Sequence, residues 1–372
     1  MPSGLDNQLI AAAWKNDVPE AKRLIAAGAD VNALDDTVQS AFLIAASEGY
    51  LDLLNVTLAH GADVRSLDSY HGTALIRAAE RGHAAVVGRL LQAGVAVDHV
   101  NNLGWTALHE AVLLGKGTPQ YVDTVRLLIA GGADRNKPAV NDGTTPVQAA
   151  KTRGQTAVSA ALADGHQASG LQDGRAAADA LLAAASSGDA DKVAAALAAG
   201  APIESRDDRR RTALLLASLN DRVDAARLLV QLGADPDAQD DRKDSAWLVT
   251  GVTGSVAMLE TLLPANPDLT LRNRFGGISV IPASERGHVD YVRRVVKTKI
   301  DVNHVNDLGW TALLEAIILG KGTKPWQDIV QILVDAGADP SLADKDGVTP
   351  LRHAESSGYD EIARILRAAG AR

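Results

Sequence analysis

His99-Val-Asn-Asn-Leu-Gly-Trp-Thr-Ala-Leu-His-Glu-Ala-Val-Leu-Leu-Gly-Lys-Gly-Thr118 returns as His304-Val-Asn-Asp-Leu-Gly-Trp-Thr-Ala-Leu-Leu-Glu-Ala-Ile-Ile-Leu-Gly-Lys-Gly-Thr323, 205 positions further along. Each copy is one turn-plus-helix unit of a shorter period, about 33 residues, that runs along nearly the whole chain. A unit reads Asp-x-x-Gly-x-Thr-Ala-Leu, an Ala-rich helix, a Gly-His or Gly-Asp break, a Leu-Leu-bearing helix, then Gly-Ala-Asp-x-Asn.

Both ends of the helices are marked. In Gly72-Thr73-Ala74-Leu75, Gly104-Trp105-Thr106-Ala107-Leu108 and Gly347-Val348-Thr349-Pro350-Leu351, the threonine is placed to cap a helix through its side-chain oxygen. Pro350 then falls at the first helical position, where a missing N–H is harmless. In Gly28-Ala29-Asp30, Gly61-Ala62-Asp63, Gly132-Ala133-Asp134, Gly233-Ala234-Asp235 and Gly337-Ala338-Asp339, the glycine follows a Leu-rich helix and closes it in the left-handed conformation.

This pattern resembles the ankyrin repeat. The resemblance implies an all-α solenoid of about eleven helix-turn-helix units with β-turn fingers. The units fall at about 6–34, 35–67, 68–100, 101–138 and 139–165, then 175–206, 207–239, 240–272, 273–305, 306–343 and 344–372. The domains expected are therefore 1–165 and 175–372, with 166–174 as a linker or degenerate finger. Continuous stacking is the favoured arrangement, because each unit's apolar faces need a neighbour. Units 101–138 and 306–343 are long through matching insertions, Gly115-Lys-Gly-Thr-Pro-Gln-Tyr121 and Gly320-Lys-Gly-Thr-Lys-Pro-Trp326, so the chain is a tandem duplication.

Some units depart from the pattern. Pro264-Ala-Asn-Pro-Asp268 and Lys297-Thr-Lys-Ile-Asp301 replace the closing Gly-Ala-Asp, so those outer helices end differently. Pro282 falls in a first helix, which survives if Ser279 starts it. The second half also resembles a family of small stand-alone bacterial ankyrin proteins of about six repeats. Arg274-Phe275-Gly276-Gly277, Pro282-Ala-Ser-Glu-Arg-Gly-His288 and Gly309-Trp-Thr-Ala-Leu-Leu-Glu-Ala316 carry that likeness over 180–372, and 68–165 carries it more weakly. The resemblance implies regulation without an assigned activity.

The 372 residues are 46% hydrophobic, 22% charged and only 3% aromatic, a composition that suits close stacking of small and aliphatic side chains. A formal net charge of -9 argues against a nucleic-acid coat. The absence of cysteine excludes disulfides and thiolate chemistry. Without a basic start followed by an apolar run, or any 18-residue apolar segment, the expectation is a cytoplasmic protein with no membrane attachment.

For function, the ankyrin resemblance implies a concave face built from finger tips and first helices. Arg209-Arg210-Arg211, Arg242-Lys243 and Arg272 with Arg274 fall at matching places in three successive fingers, about 10 Å apart. Phe275 ends this ladder, a dock for an acidic peptide, a phosphate-bearing ligand or a nucleic-acid backbone. Asp207, Asp208, Asp240, Asp241 and Asp244 alternate with the cations, and the competing reading is that they neutralise the patch. Tyr70 and His71 stand at comparable sites in the first half, so the two halves are expected to bind different things. Trp105 and Trp310 sit at finger bases and are anchors or inter-finger packing. Tyr121 and Trp326 are expected to fold over their own helix pairs.

Glu110, Glu315, His109, Glu80 and Glu285 suggest acid/base chemistry, but no nucleophile stands at a usable spacing, and no phosphate loop or metal signature accompanies them. The expectation is a monomeric, non-enzymatic scaffold with no cofactor. Its partner, a protein or acidic peptide, is contacted by Tyr70, His71, Trp105, Glu110, Arg209, Arg210, Arg242, Lys243, Phe275, Trp310 and Glu315. The alternatives are a polyanion on the basic fingers at 209–211, 242–243 and 272–274, and a small-molecule or catalytic pocket near Glu285, Trp310 and Glu315.

Overall fold

The computed structural model describes residues 3–163 and 174–372, and among them the chain forms 22 α-helices, most of them in pairs. The first ten are α1 (Gly4–Trp14), α2 (Val18–Ala26), α3 (Ala41–Glu48), α4 (Leu51–Ala59), α5 (Ala74–Glu80), α6 (Ala84–Gln92), α7 (Ala107–Leu113), α8 (Pro119–Ala130), α9 (Pro146–Thr152) and α10 (Thr156–Ala163). Next come α11 (Gly174–Ser187), α12 (Ala190–Ala198), α13 (Ala213–Leu219), α14 (Val223–Gln231), α15 (Ala246–Thr253) and α16 (Val256–Leu262). The last are α17 (Val280–Glu285), α18 (Val289–Val295), α19 (Ala312–Ile318), α20 (Lys324–Asp335), α21 (Pro350–Ser356) and α22 (Asp360–Ala368). The expected linker at 166–174 lies, but for Gly174, outside the described residues.

The chain divides into two compact units. One holds Met1–Leu181, Asp189–Ile203 and Gln231–Gly233, and the other holds Leu182–Gly188, Glu204–Val230 and Ala234–Arg372. In the first, the inner helices α1, α3, α5, α7 and α9 stack in order, and the outer helices from α2 to α10 do the same. This unit also takes in α12, which lies against α8 with Arg126 Nε 2.6 Å from Asp191 Oδ1. In the second unit α13, α15, α17, α19 and α21 form the inner row, and α16, α18, α20 and α22 stack outside them.

Sequence explains the two kinds of helix. An inner helix has neighbours on three sides, so it is apolar almost all round, and in α3 every residue from Ala41 to Ser47 is buried. An outer helix has one wet face; α22 buries Ile362, Ala363, Ile365 and Leu366 and exposes Asp360, Arg364, Arg367 and Ala368. Alanine lets the stacked backbones approach, and each buried leucine contributes about 1.5–3 kcal/mol. The capping threonines behave as expected: Thr73, Thr106 and Thr349 each accept the backbone N–H three residues on. Gly28 and Gly337 close outer helices at φ +99° and +95°. Where glycine is missing, the endings differ, as expected: Leu263–Ala265 form a 3-10 turn closed by left-handed Asn266, and Thr298 Oγ1 donates to the Val295 carbonyl. Pro282 is the third residue of α17, which starts at Val280 after Ser279.

Between helix pairs the chain turns through the fingers, and eight of those among the described residues are built on one Asp or Asn, whereas the finger before α9 turns at Ala139. Asp68 Oδ1 accepts the N–H groups of Tyr70 and Gly72, both at 2.8 Å. Asp240 Oδ1 accepts those of Arg242 and Asp244, and Asn306 Oδ1 those of Leu308 and Trp310. Asp35, Asn101, Asp207, Asn273 and Asp344 do the same. The residue three after each Asp or Asn is left-handed, whether glycine, as at Gly104, Gly276, Gly309 and Gly347, or Val38, His71, Arg210 and Lys243.

Tyr121 and Trp326 pack against Gly115 and Gly320 of their own units but also reach beyond their own helix pairs. Tyr121 Oη donates to the Glu80 carbonyl and Trp326 Nε1 to the Glu285 carbonyl, both at 3.0 Å, so each ties its repeat to the preceding inner helix. The insertion glycines make room for these rings. A Cβ on Gly320 would lie 1.9 Å from the Ala316 carbonyl oxygen and 2.4 Å from Trp326 Cδ1.

Gly320→Ala should therefore lower the urea midpoint by an amount equivalent to about 2 kcal/mol or more. Val38→Gly relieves a β-branched residue at φ +62° and should raise stability by about 1 kcal/mol. Equilibrium unfolding followed by circular dichroism checks both signs.

Candidate functional site

Two cavities open where fingers meet inner helices, one in each unit. The first, about 340 Å³, is lined by Asp68, Tyr70, Gly72, Asn101 and Leu103 from fingers and by Ile76, Arg77, Glu80, Glu110 and Leu114 from α5, α7 and the residue after it. The second, about 450 Å³, is lined by Asn273, Phe275, Gly277, Ile281, Pro282, Glu285, Asn306, Leu308, Glu315 and Leu319. Adding 205 to each of the ten residue numbers of the first gives these ten. The second cavity extends further, to Arg242, Asp244, Arg274, Arg286 and side chains from α13 and α15.

At each cavity lies a buried glutamate. Glu110 is 3% exposed and Glu315 6%. Asn101 Nδ2 donates to Glu110 Oε1 and Asn306 Nδ2 to Glu315 Oε1, both at 2.8 Å. The same asparagine thus holds the turn with its oxygen and the carboxyl with its nitrogen. Burial pushes both carboxyls up from their ordinary 4.5 to about 7, aided at Glu110 by Glu80 and Asp68 and at Glu315 by Glu285. The asparagine amides oppose the rise, and Arg77 opposes it at Glu110. In the first cavity Arg77 Nη1 lies 2.8 Å from Glu80 Oε2, and its Nε lies 3.2 Å from Asp68 Oδ2 without hydrogen-bond alignment. In the second, Arg274 lies 3.4 Å from Asp244 and 4.6 Å from the centroid of the Phe275 ring.

The geometry sorts the residues expected from sequence. Tyr70 and Glu110 share the first cavity; Arg242, Phe275 and Glu315 share the second, together with Glu285. Trp105 and Trp310 are half-buried at finger bases, as expected, but neither lines a cavity, so the grouping of Trp310 with Glu285 and Glu315 is not assembled. His71, Arg210 and Lys243 occupy left-handed finger positions, and these three and Arg209 are not among the lining side chains. Arg209, Arg210, Arg242, Lys243 and Arg272 are exposed and make no ion pair among the described residues. The alternating aspartates are partly occupied elsewhere: Asp207 pairs with Arg211, and Asp240 closes its turn. His109 holds neighbouring structure, with Nδ1 against Thr106 and Nε2 3.1 Å from the Thr144 carbonyl. Sequence reading passed over Leu103, Leu114, Leu308, Leu319 and the two asparagines. Sliding the sequence over itself by 205 positions would have marked them. No cluster of metal-ligating side chains occurs, and no helix is long and apolar enough to cross a membrane, among the described residues.

A carboxyl raised by folding holds its proton more tightly in the folded chain than in the unfolded one. Its contribution is full below about 4.5 and is lost as pH rises through about 7, on the order of 3 kcal/mol per group. Glu110→Gln/Glu315→Gln should match the wild type near pH 5 and exceed it in thermal midpoint by a growing margin up to pH 8. The difference between the two proteins cancels the histidines, and a margin independent of pH would contradict the buried-carboxyl reading.

The model of ankyrin repeats (3 copies) matches residues 9–99, 42–139, 147–240 and 248–344. The chain is 44% identical over 191 residues, 51% of its own length and 95% of the relative's, to the ankyrin repeat protein YahD of Escherichia coli strain K12. It is 37% identical over 87 residues to protein phosphatase 1 regulatory subunit 27 of Homo sapiens, covering 53% of that protein and 23% of this chain. A crystal structure of an ankyrin repeat domain from Acinetobacter baumannii AYE matches with 46% identity and a TM-score of 0.50, covering 52% of this chain and 98% of that one. The repeating turns, the paired helices and these matches together make the chain a member of the ankyrin-repeat family, whose repeats are modules of protein–protein interaction.

Proposed function

We propose that the chain is a non-enzymatic scaffold, a cytoplasmic monomer, that docks a protein partner on the fingers and inner helices of each unit, at the cavity that unit carries. One observation carries this reading. Of the ten large hydrophobic side chains exposed among the described residues, six rim the cavities: Tyr70, Leu103 and Leu114 in one unit, and Phe275, Leu308 and Leu319 in the other. Exposed apolar groups gathered at a depression mark a contact surface, whereas scattered ones do not. Because turns and helices are ordered before contact, little entropy is lost on binding.

A second reading rests on the five exposed cations of the basic fingers, without ion pairs among the described residues. They favour an acidic partner segment for the second unit, or a polyanion such as nucleic acid. Steep weakening with salt would identify the polyanion.

Affinity capture from native cell extract, quantified against variants, tests the scaffold. Leu114→Asp and Leu319→Asp place a carboxylate on each rim and should each reduce partner recovery at least tenfold. Trp14→Gln, an exposed position away from both cavities, should leave recovery unchanged. Equal recovery with all three variants would refute the proposal.

A further inference from the structure

The two cavities share ten positions but not their charge. In the first, three carboxylates, Asp68, Glu80 and Glu110, face one guanidinium, Arg77. In the second, Asn273 stands where Asp68 does and Pro282 where Arg77 does, and Arg242, Arg274 and Arg286 balance Asp244, Glu285 and Glu315. Only the first carries an excess of negative charge.

Hydrogen bonding in that cavity is also incomplete. Glu110 Oε2 is a buried oxygen with no hydrogen-bond partner among the described residues, and Asp68 Oδ2 has only the misaligned Arg77 Nε at 3.2 Å; each residue is 3% exposed. Glu110 Oε1 is already taken by Asn101, and Asp68 Oδ1 by its turn. Leaving a buried oxygen unsatisfied is unfavourable, the more so if it is charged. Ile76, Leu103, Leu114 and the Tyr70 ring supply an apolar wall beside these oxygens. A long side chain with an aliphatic stem and a cationic head meets both needs at once.

We infer that the first cavity receives a basic side chain, lysine or arginine, of a partner protein, with its stem against Leu103 and Leu114 and its head donating to Glu110 and Asp68. The inference rests on reading the finger and inner-helix face as a docking surface. It makes the two halves of the duplication read different residues, the second lacking the charge excess that would select a cation.

Binding is coupled to a proton. The groups facing Glu110 are Asp68 from the finger and Arg77 and Glu80 from α5; from α8 and α9 no charged side chain lines the cavity among the described residues. With its proton held to about pH 7, Glu110 must ionise to meet a cation, so binding at pH 6 releases a proton. Affinity should rise about tenfold from pH 6 to pH 8.

Isothermal titration calorimetry of the whole chain provides the test, with the acetylated, amidated tripeptides Leu-Lys-Leu, Leu-Arg-Leu and Leu-norleucine-Leu as probes. The basic peptides should bind at least tenfold more tightly than the norleucine peptide, tighten with pH as stated, and release a proton at pH 6.5 in two buffers of different ionisation heat. Glu110→Gln, near-isosteric, should lose the tenfold preference, the pH dependence and the proton release together. Equal affinity for norleucine, or a Glu110→Gln variant unchanged in all three, would overturn the inference, as would free cadaverine binding as tightly as the peptide. Partner recovery lost with Leu114→Asp but intact with Glu110→Gln would remove this inference alone; recovery intact with both would remove the docking surface too.

Discussion

One oxygen accepting two backbone N–H groups shapes every regular finger in this chain. When Asp or Asn accepts from the residues two and four ahead, the residue two ahead is held beside the inner helices and the one three ahead is driven left-handed. Of the side chains two ahead, Tyr70, Leu103, Arg242, Phe275 and Leu308 line cavities, whereas Thr37, Arg209 and Asp346 do not. The residues three ahead, His71 and Lys243 among them, do not. Where a cavity forms, the turn therefore decides which of two adjacent side chains lines it.

Stacking then turns these local choices into a surface. A helix pair cannot bury its apolar face alone, so neighbouring units press their fingers into register. Backbone bonds complete the registration: Asn102 N–H donates to the Tyr70 carbonyl at 2.9 Å, and Asp307 N–H to the Phe275 carbonyl at 2.9 Å. Tyr121 and Trp326 add a second tether, from the inserted segment to the carbonyl of Glu80 or Glu285. That tether holds the inner helix end that carries the cavity's outer carboxylate. The insertion, which lengthens only the fourth unit of one half and its counterpart in the other, is thus a support for the site.

Most of the fold was legible because its signals are local. Threonine caps, closing glycines and the period of about 33 residues act within one unit, and even Pro282 could be placed at the third helical position from its distance to Ser279. The site was legible only in part. Tyr70, Phe275, Arg242 and the two glutamates were identifiable, because exposed aromatics and charges stand out against an Ala-Leu background. Trp310 falls on the same expected concave face as Glu285 and Glu315, but a tryptophan four residues after the turn asparagine sits at the finger base and does not line the cavity. Tyr121 and Trp326 were assigned to their own helix pairs because a ring's reach across a repeat boundary depends on the gap that Gly115 and Gly320 leave. The leucine rim was missed for the opposite reason: in a chain rich in leucine, exposure is not written in residue type.

The duplication separates what the architecture requires from what recognition selects. Asn101 and Glu110 recur unchanged as Asn306 and Glu315, although a carboxyl sunk to 3% or 6% exposure lowers stability at neutral pH. A buried glutamine would keep the asparagine's hydrogen bond without that charge, and a leucine would fill the volume. Asp68 and Arg77, which touch the same cavity, have instead diverged to Asn273 and Pro282, and the turn survives because asparagine offers the same oxygen. The ion-pair partners are thus free to change while the floor of the cavity is not. That division places the shared capacity to dock in the asparagine–glutamate pair and the apolar rim, and the difference between the halves in the charges beside them.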